Sequence, residues 1–346
     1  MGQRTGEKWV NLLMFENKTI LITGGTGSFG RAFTKFMLDK YNVKKVIIFS
    51  RDEIKQWRMK QEFNDPRLRF FIGDVRDASR LYRAFDSVDY IVHGAALKIV
   101  PTAEYDPFEP IKTNIMGTMN VINAAIDRNV EKLVALSTDK ACLPVNLYGA
   151  TKLVSDKLVV SGNNYARFST TKFSVVRYGN VMGSRGSVMP LFAKQIPTGC
   201  VSITSMKMTR FMITLQQGVE MVSEAFEDMM GGEIYVKKLP SMRVIDLARA
   251  MSPNIKTKII GIRPGEKLHE VMISKEDAPF TYEYDNHFKI LPATNTTSTN
   301  NLMIGTGKLV SEDFSYSSDN NKIWMSEKDI QNWIKENRTA LAESIL

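Results

Sequence analysis

Short aliphatic and β-branched runs alternate with longer amphipathic stretches through the first half of the chain. Lys18–Thr23 predicts a strand, Phe29–Tyr41 a helix, Lys44–Ser50 a strand and Asp52–Phe63 a helix. Leu68–Ile72, Tyr90–His93, Leu133–Ser137 and Phe173–Arg177 predict further strands. Helical patterns at Pro107–Arg128 and Asn146–Val160 separate the later ones. This spacing makes βαβ units, and so an α/β fold whose parallel sheet is covered on both faces. The run Val46-Ile47-Ile48-Phe49 is apolar throughout, as a strand buried on both faces requires. After about Gly179 the rhythm breaks into short elements with scattered glycine, proline and methionine. Asn295–Asn301 reads as a polar surface loop.

Composition narrows the classes. Hydrophobic residues are 43% of 346, enough for a large core and too many for a disordered chain. No apolar run approaches the roughly 18 residues of a membrane helix, and Met1–Leu13 is polar, without the apolar core of a secretory signal. No membrane partner is expected. Two cysteines, Cys142 and Cys200, make no disulfide framework or zinc spacing, which fits a cytoplasmic protein. Three widely separated histidines give no expectation of a metal site. The net charge of +9 raises nucleic acid as a partner, but no Lys/Arg block of five occurs. A solvated basic surface that gathers anionic small molecules is the preferred reading.

Lys18–Thr23 leads into Gly24-Gly25-Thr26-Gly27-Ser28-Phe29-Gly30 and then a helix. In G-x-x-G-x-x-G the first glycine permits a tight turn, the second lets a pyrophosphate approach the backbone, and the third lets helix pack on strand. The helix N-terminus offers N–H groups to phosphates. Strand, glycines and helix in this order predict a Rossmann-type dinucleotide site containing Gly24, Thr26, Gly27, Ser28, Phe29 and Gly30. The second strand ends at Ser50-Arg51-Asp52. Ser50 and Arg51 suit a 2′-phosphate, so NADP is expected in preference to NAD. Asp52 and Glu53 are read as the acidic start of the next helix. Asp74 and Val75, after the third strand, are candidates for the adenine edge, with a surface turn as the alternative.

Tyr148-Gly149-Ala150-Thr151-Lys152 places Tyr148 and Lys152 on one helix face. A nearby ammonium favours the tyrosinate, and such a tyrosine can take a proton from a sugar hydroxyl. Upstream, the fifth strand ends at Ser137-Thr138-Asp139-Lys140, and strand C-termini of open α/β sheets face the ligand crevice. Hydride transfer alone needs Tyr148 and Lys152. Elimination of water needs an acid and a base besides, which Asp139 and Lys140 supply, with Thr138 bonding the reacting hydroxyl.

Together these segments resemble the extended short-chain dehydrogenase/reductase family. More closely, they resemble the inverting UDP-N-acetylglucosamine 4,6-dehydratases of pseudaminic-acid and capsule pathways. The similarity runs from about Met14 into the C-terminal region. It includes Ala95-Ala96-Leu97-Lys98, Lys112-Thr113-Asn114, Arg177-Tyr178-Gly179-Asn180-Val181, Gly183-Ser184-Arg185-Gly186-Ser187, Met208-Thr209-Arg210-Phe211 and Gly261-Ile262-Arg263-Pro264-Gly265-Glu266-Lys267-Leu268-His269-Glu270. The Asp-Lys pair and the short step from Thr138 to Tyr148 match the N-acetylglucosamine group, whereas glucose-nucleotide dehydratases carry Asp-Glu and a longer connection.

The resemblance implies a UDP-sugar substrate, a homo-oligomer, and redox exchange at C4 and C6 through NADP. It implies Tyr148 taking the O4 proton, Lys140 removing the C5 proton and Asp139 protonating O6; the last two roles are exchangeable on sequence alone. Ala95 joins the cofactor candidates. Arg185, Arg210 and Arg263 are diphosphate candidates, with Lys98, Asn180 and Glu266 as further substrate contacts. Ile99 departs from the polar residue usual after Ala-Leu-Lys, and Gly94 from the usual alanine. The expected organisation is a disordered 1–13 extension, an NADP-binding domain at 14–180 joined by part of 209–237, and a smaller C-terminal α/β substrate-binding domain from 181–208 and 238–346. A retaining dehydratase, a UDP-sugar C4-epimerase and a non-catalytic NADP-binding regulator are the rival readings.

Overall fold

A computed structural model describes residues 4–5, 8–9, 13–166, 169–183, 187–293 and 297–337. In chain order its main frame is β1 (Thr19–Thr23), α1 (Ser28–Lys40), β2 (Lys45–Ser50), α2 (Glu53–Phe63), β3 (Leu68–Ile72), α3 (Ala78–Ala84) and β4 (Tyr90–His93). There follow α4 (Gly117–Asp127), β5 (Lys132–Thr138), α5 (Leu147–Tyr165), β6 (Lys172–Tyr178), α6 (Leu215–Asp228) and β7 (Ile234–Lys237). The frame closes with β8 (Thr281–Glu283), β9 (His287–Ile290) and β10 (Lys308–Leu309). These strands form one sheet in the order β10-β8-β9-β7-β6-β5-β4-β1-β2-β3.

From β3 to β7 every pairing is parallel, with Thr23 opposite Phe49 on one side and His93 on the other. The order 3-2-1-4-5-6 is the doubly wound Rossmann arrangement, and its direction reverses between β1 and β4. Alternate residues supply two cores. Ile20, Ile22, Val46 and Ile48 pack on one face with Phe33 and Phe226. Leu21, Ile47 and Phe49 pack on the other with Leu81, Leu133 and Phe173. The middles of β1 and β2 are continuously apolar because both faces are covered there.

The second layer has its own core of Met182, Met189, Phe192, Val201, Ile203, Met208, Met212 and Leu247. Cys200–Ile203 pairs in parallel with Lys256–Ile259, and Asn180–Val181, Thr209–Ile213 and Ser241–Arg243 form a three-stranded sheet. Thr209–Ile213 stands between the layers: Phe211 and Ile213 belong to a core of the main sheet, Met212 to the second. α6 packs beside α1, and β7 joins the main sheet. β8, β9 and β10 also extend the main sheet, by antiparallel pairing, although the sequence placed 238–346 in the second domain.

Three local expectations change. Within the expected 1–13 extension, Arg4–Thr5 pairs with Lys8–Trp9 as an antiparallel ribbon. The helix expected over Pro107–Arg128 is interrupted by a π-helical turn at Ile111–Met116. The expected loop at Asn295–Asn301 overlaps a helix, Thr297–Ile304. Tertiary contacts override its polar composition: Met303 is buried, Tyr284 Oη donates to Ile304 O at 2.6 Å, and Lys289 Nζ lies 3.4 Å from Met303 O. Among the described residues no helix is long and apolar enough to cross a membrane, and no His/Cys/Asp/Glu cluster has metal-binding geometry.

Candidate active site

A single cleft of about 1360 Å³ runs along the C-terminal ends of the parallel strands and under the second layer. At one end lie Gly24, Thr26, Gly27, Ser28, Phe29 and Gly30. Gly24 has φ +70°, and a Cβ there would sit 3.0 Å from the Ala95 backbone. A Cβ on Gly30 would lie 2.4 Å from Gly25 O, so the helix can meet the strand turn only without a side chain. Among the described residues no side chain caps the N-terminus of α1, and its first residues, Ser28, Phe29 and Gly30, line the cleft. This end is a cradle shaped for a pyrophosphate.

Ser50 is held by Gln56, whose amide donates to Ser50 O and lies 3.0 Å from Ser50 Oγ. Arg51 is about half exposed, 3.7 Å from Asp74. Asp52 caps α2 by accepting from Lys55 N at 2.9 Å, as the acidic-start reading anticipates. Asp74 accepts from Arg76; burial pushes its carboxyl up, but Arg76 outweighs burial and holds it below the usual range. Val75 and Ala95 complete this wall, and Ala95 N donates to Thr23 Oγ1 at 3.3 Å.

The middle of the cleft is built where β5 ends. Asp139 is fully buried and accepts from Thr138 Oγ1 at 3.0 Å and from Lys140 Nζ at 2.9 Å. Its other oxygen, Oδ2, makes no hydrogen bond among the described residues. Lys140 faces the cleft, with its ammonium also 3.4 Å from Glu270. Burial works against that charge, but Asp139 and Glu270 outweigh it and hold Lys140 above the ordinary lysine range.

Asn146 caps α5, accepting from Gly149 N at 2.7 Å, and the first turn then sets Tyr148 beside the Asp139–Lys140 turn. Gly149 allows this approach, because a Cβ there would lie 2.3 Å from Lys140 O. Burial pushes the Tyr148 phenol up to about 12, while Lys140 and a hydrogen bond with Thr138 pull it down. The spacing of Tyr148 and Lys152 predicts that Lys152 lowers it. In the structure burial lowers Lys152's own pKa, and Asp156 opposes that. Behind the site Asn114 ties the loop to the helix, accepting from Leu97 N at 2.8 Å and donating to Leu97 O and to Thr151.

The far end carries the substrate candidates. Lys98 is exposed at the residue level, yet its ammonium is lowered by desolvation and then by the charge of Lys140. Asn180 Oδ1, Thr113 Oγ1 and Ser187 Oγ are buried without a hydrogen bond among the described residues, and all three residues line the cleft. Buried polar atoms of this kind call for a partner, which a polar ligand would supply. Arg263 is exposed and bonds Glu266 through Nη2 at 2.8 Å; Glu266 also accepts from Thr204 at 3.0 Å. Arg210 is buried and donates to the carbonyls of Thr209, Lys267 and Leu268. Its guanidinium is therefore largely engaged in bracing the 266–270 segment. Arg185 lies outside the described residues.

Residues 20–292 match the family described as "Polysaccharide biosynthesis protein". The chain belongs to this family. The Campylobacter jejuni protein named UDP-N-acetylglucosamine 4,6-dehydratase (inverting) is 55% identical over 324 residues, 92% of this chain and 97% of that protein. A Rickettsia canadensis protein named UDP-glucose 4-epimerase is 44% identical over 286 residues, 80% of this chain and 84% of its own length. The X-ray structure of Pen from Bacillus thuringiensis is 38% identical with a TM-score of 0.85, covering 94% of this chain and 99% of that one.

The family comparison leaves the site residues to be read from geometry. Thr204, Lys267 and Glu270 enter the cleft without having been singled out from the sequence. Glu270 ends a motif the sequence did display, but no spacing rule connects it to Lys140, 130 positions away.

Proposed function

We propose that the chain is an NADP-dependent UDP-N-acetylglucosamine 4,6-dehydratase that inverts C5. One observation carries the reading: Lys140, paired with the buried Asp139, lines the same cleft as Tyr148 and the glycine cradle. The relatives named as inverting dehydratases support it. An epimerase has use for Tyr148 and Lys152 but not for a second acid–base pair.

The glycine turn and the uncapped N-terminus of α1 fit a dinucleotide pyrophosphate. Ser50 and Arg51, at the end of β2, are the residues we assign to a 2′-phosphate, which an arginine there accommodates. When bound, the nicotinamide supplies the hydride acceptor and donor. Tyr148 takes the proton from O4, with Lys140 and Thr138 as the chain's own groups that favour its ionised form. The resting pair is Lys140 ammonium and Asp139 carboxylate. Passing one proton from Lys140 to Asp139 makes an amine and a carboxylic acid. The amine takes the C5 proton, acidified by the ketone at C4, and Asp139 gives its proton to the departing O6. Water leaves and the pair returns to its resting charges. A solvent proton reaching C5 from the opposite face inverts that centre, and the proton that Tyr148 took from O4 is released to solvent in balance. Lys98, Asn180 and Arg263 are the assigned substrate contacts; Glu266 pairs with Arg263, and Arg210 braces the neighbouring 266–270 segment.

The direct test is mass spectrometry of UDP-N-acetylglucosamine incubated with the purified protein. Loss of one water without net consumption of dinucleotide supports the reading; an unchanged mass overturns it. The cofactor assignment has its own test. Arg51→Ala is expected to weaken NADP binding by roughly tenfold or more, the worth of a charge-assisted hydrogen bond, and to leave NAD binding unchanged. Equal losses for the two dinucleotides in a fluorescence titration would remove Arg51 from the 2′-phosphate site.

A further inference from the structure

The second layer reaches the acid–base pair through Glu270. This residue lies just before the short strand Val271–Ile273 and is 2% exposed. Its backbone is fixed from both sides: Glu270 N donates to Ser318 Oγ at 2.9 Å, and Ser318 N donates to Glu270 O at 2.8 Å. The carboxylate meets three cations. Oε1 is 3.4 Å from Lys140 Nζ and 3.7 Å from Arg210 Nε, and Oε2 is 3.8 Å from Lys267 Nζ. Oε2 makes no hydrogen bond among the described residues. Lys267 in turn donates to Cys142 O at 2.6 Å, so one short segment grips the Asp139–Cys142 turn at two points.

A buried carboxylate aimed at an ammonium that already has a partner is costly unless it fixes a geometry. We propose that Glu270 is a positioning residue for the dehydratase chemistry: it holds the Lys140 ammonium against Asp139 from the second layer and stabilises the charge that Lys140 regains when it takes the C5 proton. This rests on the reading of Asp139 and Lys140 given above. It makes the pair a composite of both layers, one carboxylate from the end of β5 and one from the 266–270 segment, with Lys140 between them.

The groups facing Lys140 are Asp139, Glu270, Arg210, Tyr148, Lys98 and Lys267. Asp139 and Glu270 raise its pKa, and Arg210 opposes them. The active form of the pair carries one proton, so activity falls on the alkaline side as that proton is lost. Removing Glu270's charge lowers the Lys140 pKa and must move this alkaline limb to lower pH.

The test uses the holoenzyme, with UDP-N-acetylglucosamine as substrate, and compares wild type, Glu270→Gln and Glu270→Asp. Glu270→Gln is expected to lower kcat by on the order of tenfold to 10²-fold, the scale of a small misplacement of a reacting group. KM should stay near the wild-type value, and the alkaline limb should shift down. Glu270→Asp keeps the charge and should retain the wild-type limb whatever happens to its rate. Equal limbs in all three proteins, or a wild-type rate in Glu270→Gln, overturns the proposal. Should Glu270→Gln fail to fold, a downshifted limb in Glu270→Asp also overturns it. A wild-type protein that makes no dehydrated sugar would refute the parent reading instead, which keeps the two failures apart.

Discussion

Tyr148→Phe is expected to lower kcat by about 10²- to 10⁴-fold, the usual contribution of a positioned acid–base group, with dinucleotide affinity unchanged. The substitution removes only the hydroxyl. The ring stays packed at the start of α5, where it is 9% exposed. Loss of one hydroxyl's hydrogen bonding costs about 1 kcal/mol of stability, far too little to unfold the chain. The loss of turnover therefore reports chemistry. Steady-state kinetics together with a dinucleotide titration make the comparison. A variant turning over within a few-fold of wild type would mean that O4 loses its proton elsewhere, and Lys140 would be the next residue to change.

The second large effect is on stability. Asp156→Ala is expected to destabilise the protein by about 3–5 kcal/mol, the cost of leaving a buried charge without its partner. Arg177 lies in β6 with 4% of its side chain exposed, and its Nη2 donates to Asp156 Oδ2 at 3.3 Å. Asp156, itself 1% exposed, also accepts from Ser137 Oγ at 2.6 Å. The guanidinium has one further strong contact, Met272 O at 2.8 Å, while Asp277 is 3.9 Å away. Removing Asp156 leaves a cation that burial disfavours, with Asp277 at 3.9 Å as its nearest remaining carboxylate. Asp156→Leu combined with Arg177→Met should recover much of the loss, since an apolar pair of similar volume avoids the desolvation cost. Urea denaturation of the three proteins decides it. A loss below about 1 kcal/mol for Asp156→Ala would place the pair in the range of solvated surface bridges.

Ser137 precedes Thr138 and Asp139, so this buried pair also anchors the strand end from which the acid–base groups project. Stability and chemistry meet at one short stretch of β5. That is the ordinary consequence of placing a site at the C-terminal ends of parallel strands.

How much of this was legible in the sequence depends on distance along the chain. The parallel strands could be read because their residues are apolar at consecutive positions. The glycine turn could be read because Gly24 and Gly30 are required by a positive φ and by a backbone contact. Thr138, Asp139, Lys140 and Tyr148 lie close in sequence around one strand end and one helix start; Thr138, Lys140 and Tyr148 line the cleft, and Asp139 is buried directly behind Lys140. Glu270, Lys267 and Thr204 were not legible as neighbours of that group. Their approach is set by how the second layer folds over the first, and a short-range pattern does not encode it. Arg210 could be read as a cation but not as one engaged by three backbone carbonyls. The short antiparallel strands β8 and β10 carry too few residues for a period-two signal, and the helix at Thr297–Ile304 owes its place to contacts with Tyr284 and Lys289.

The measurement that bears most directly on the central claim is proton NMR of UDP-N-acetylglucosamine incubated with the holoenzyme in D₂O. The account predicts a new C6 methyl signal, deuterium at C5, and couplings of an inverted C5. Appearance of UDP-N-acetylgalactosamine alone, with hydrogen retained at C5 and no methyl signal, would contradict it and assign the site to C4 epimerisation.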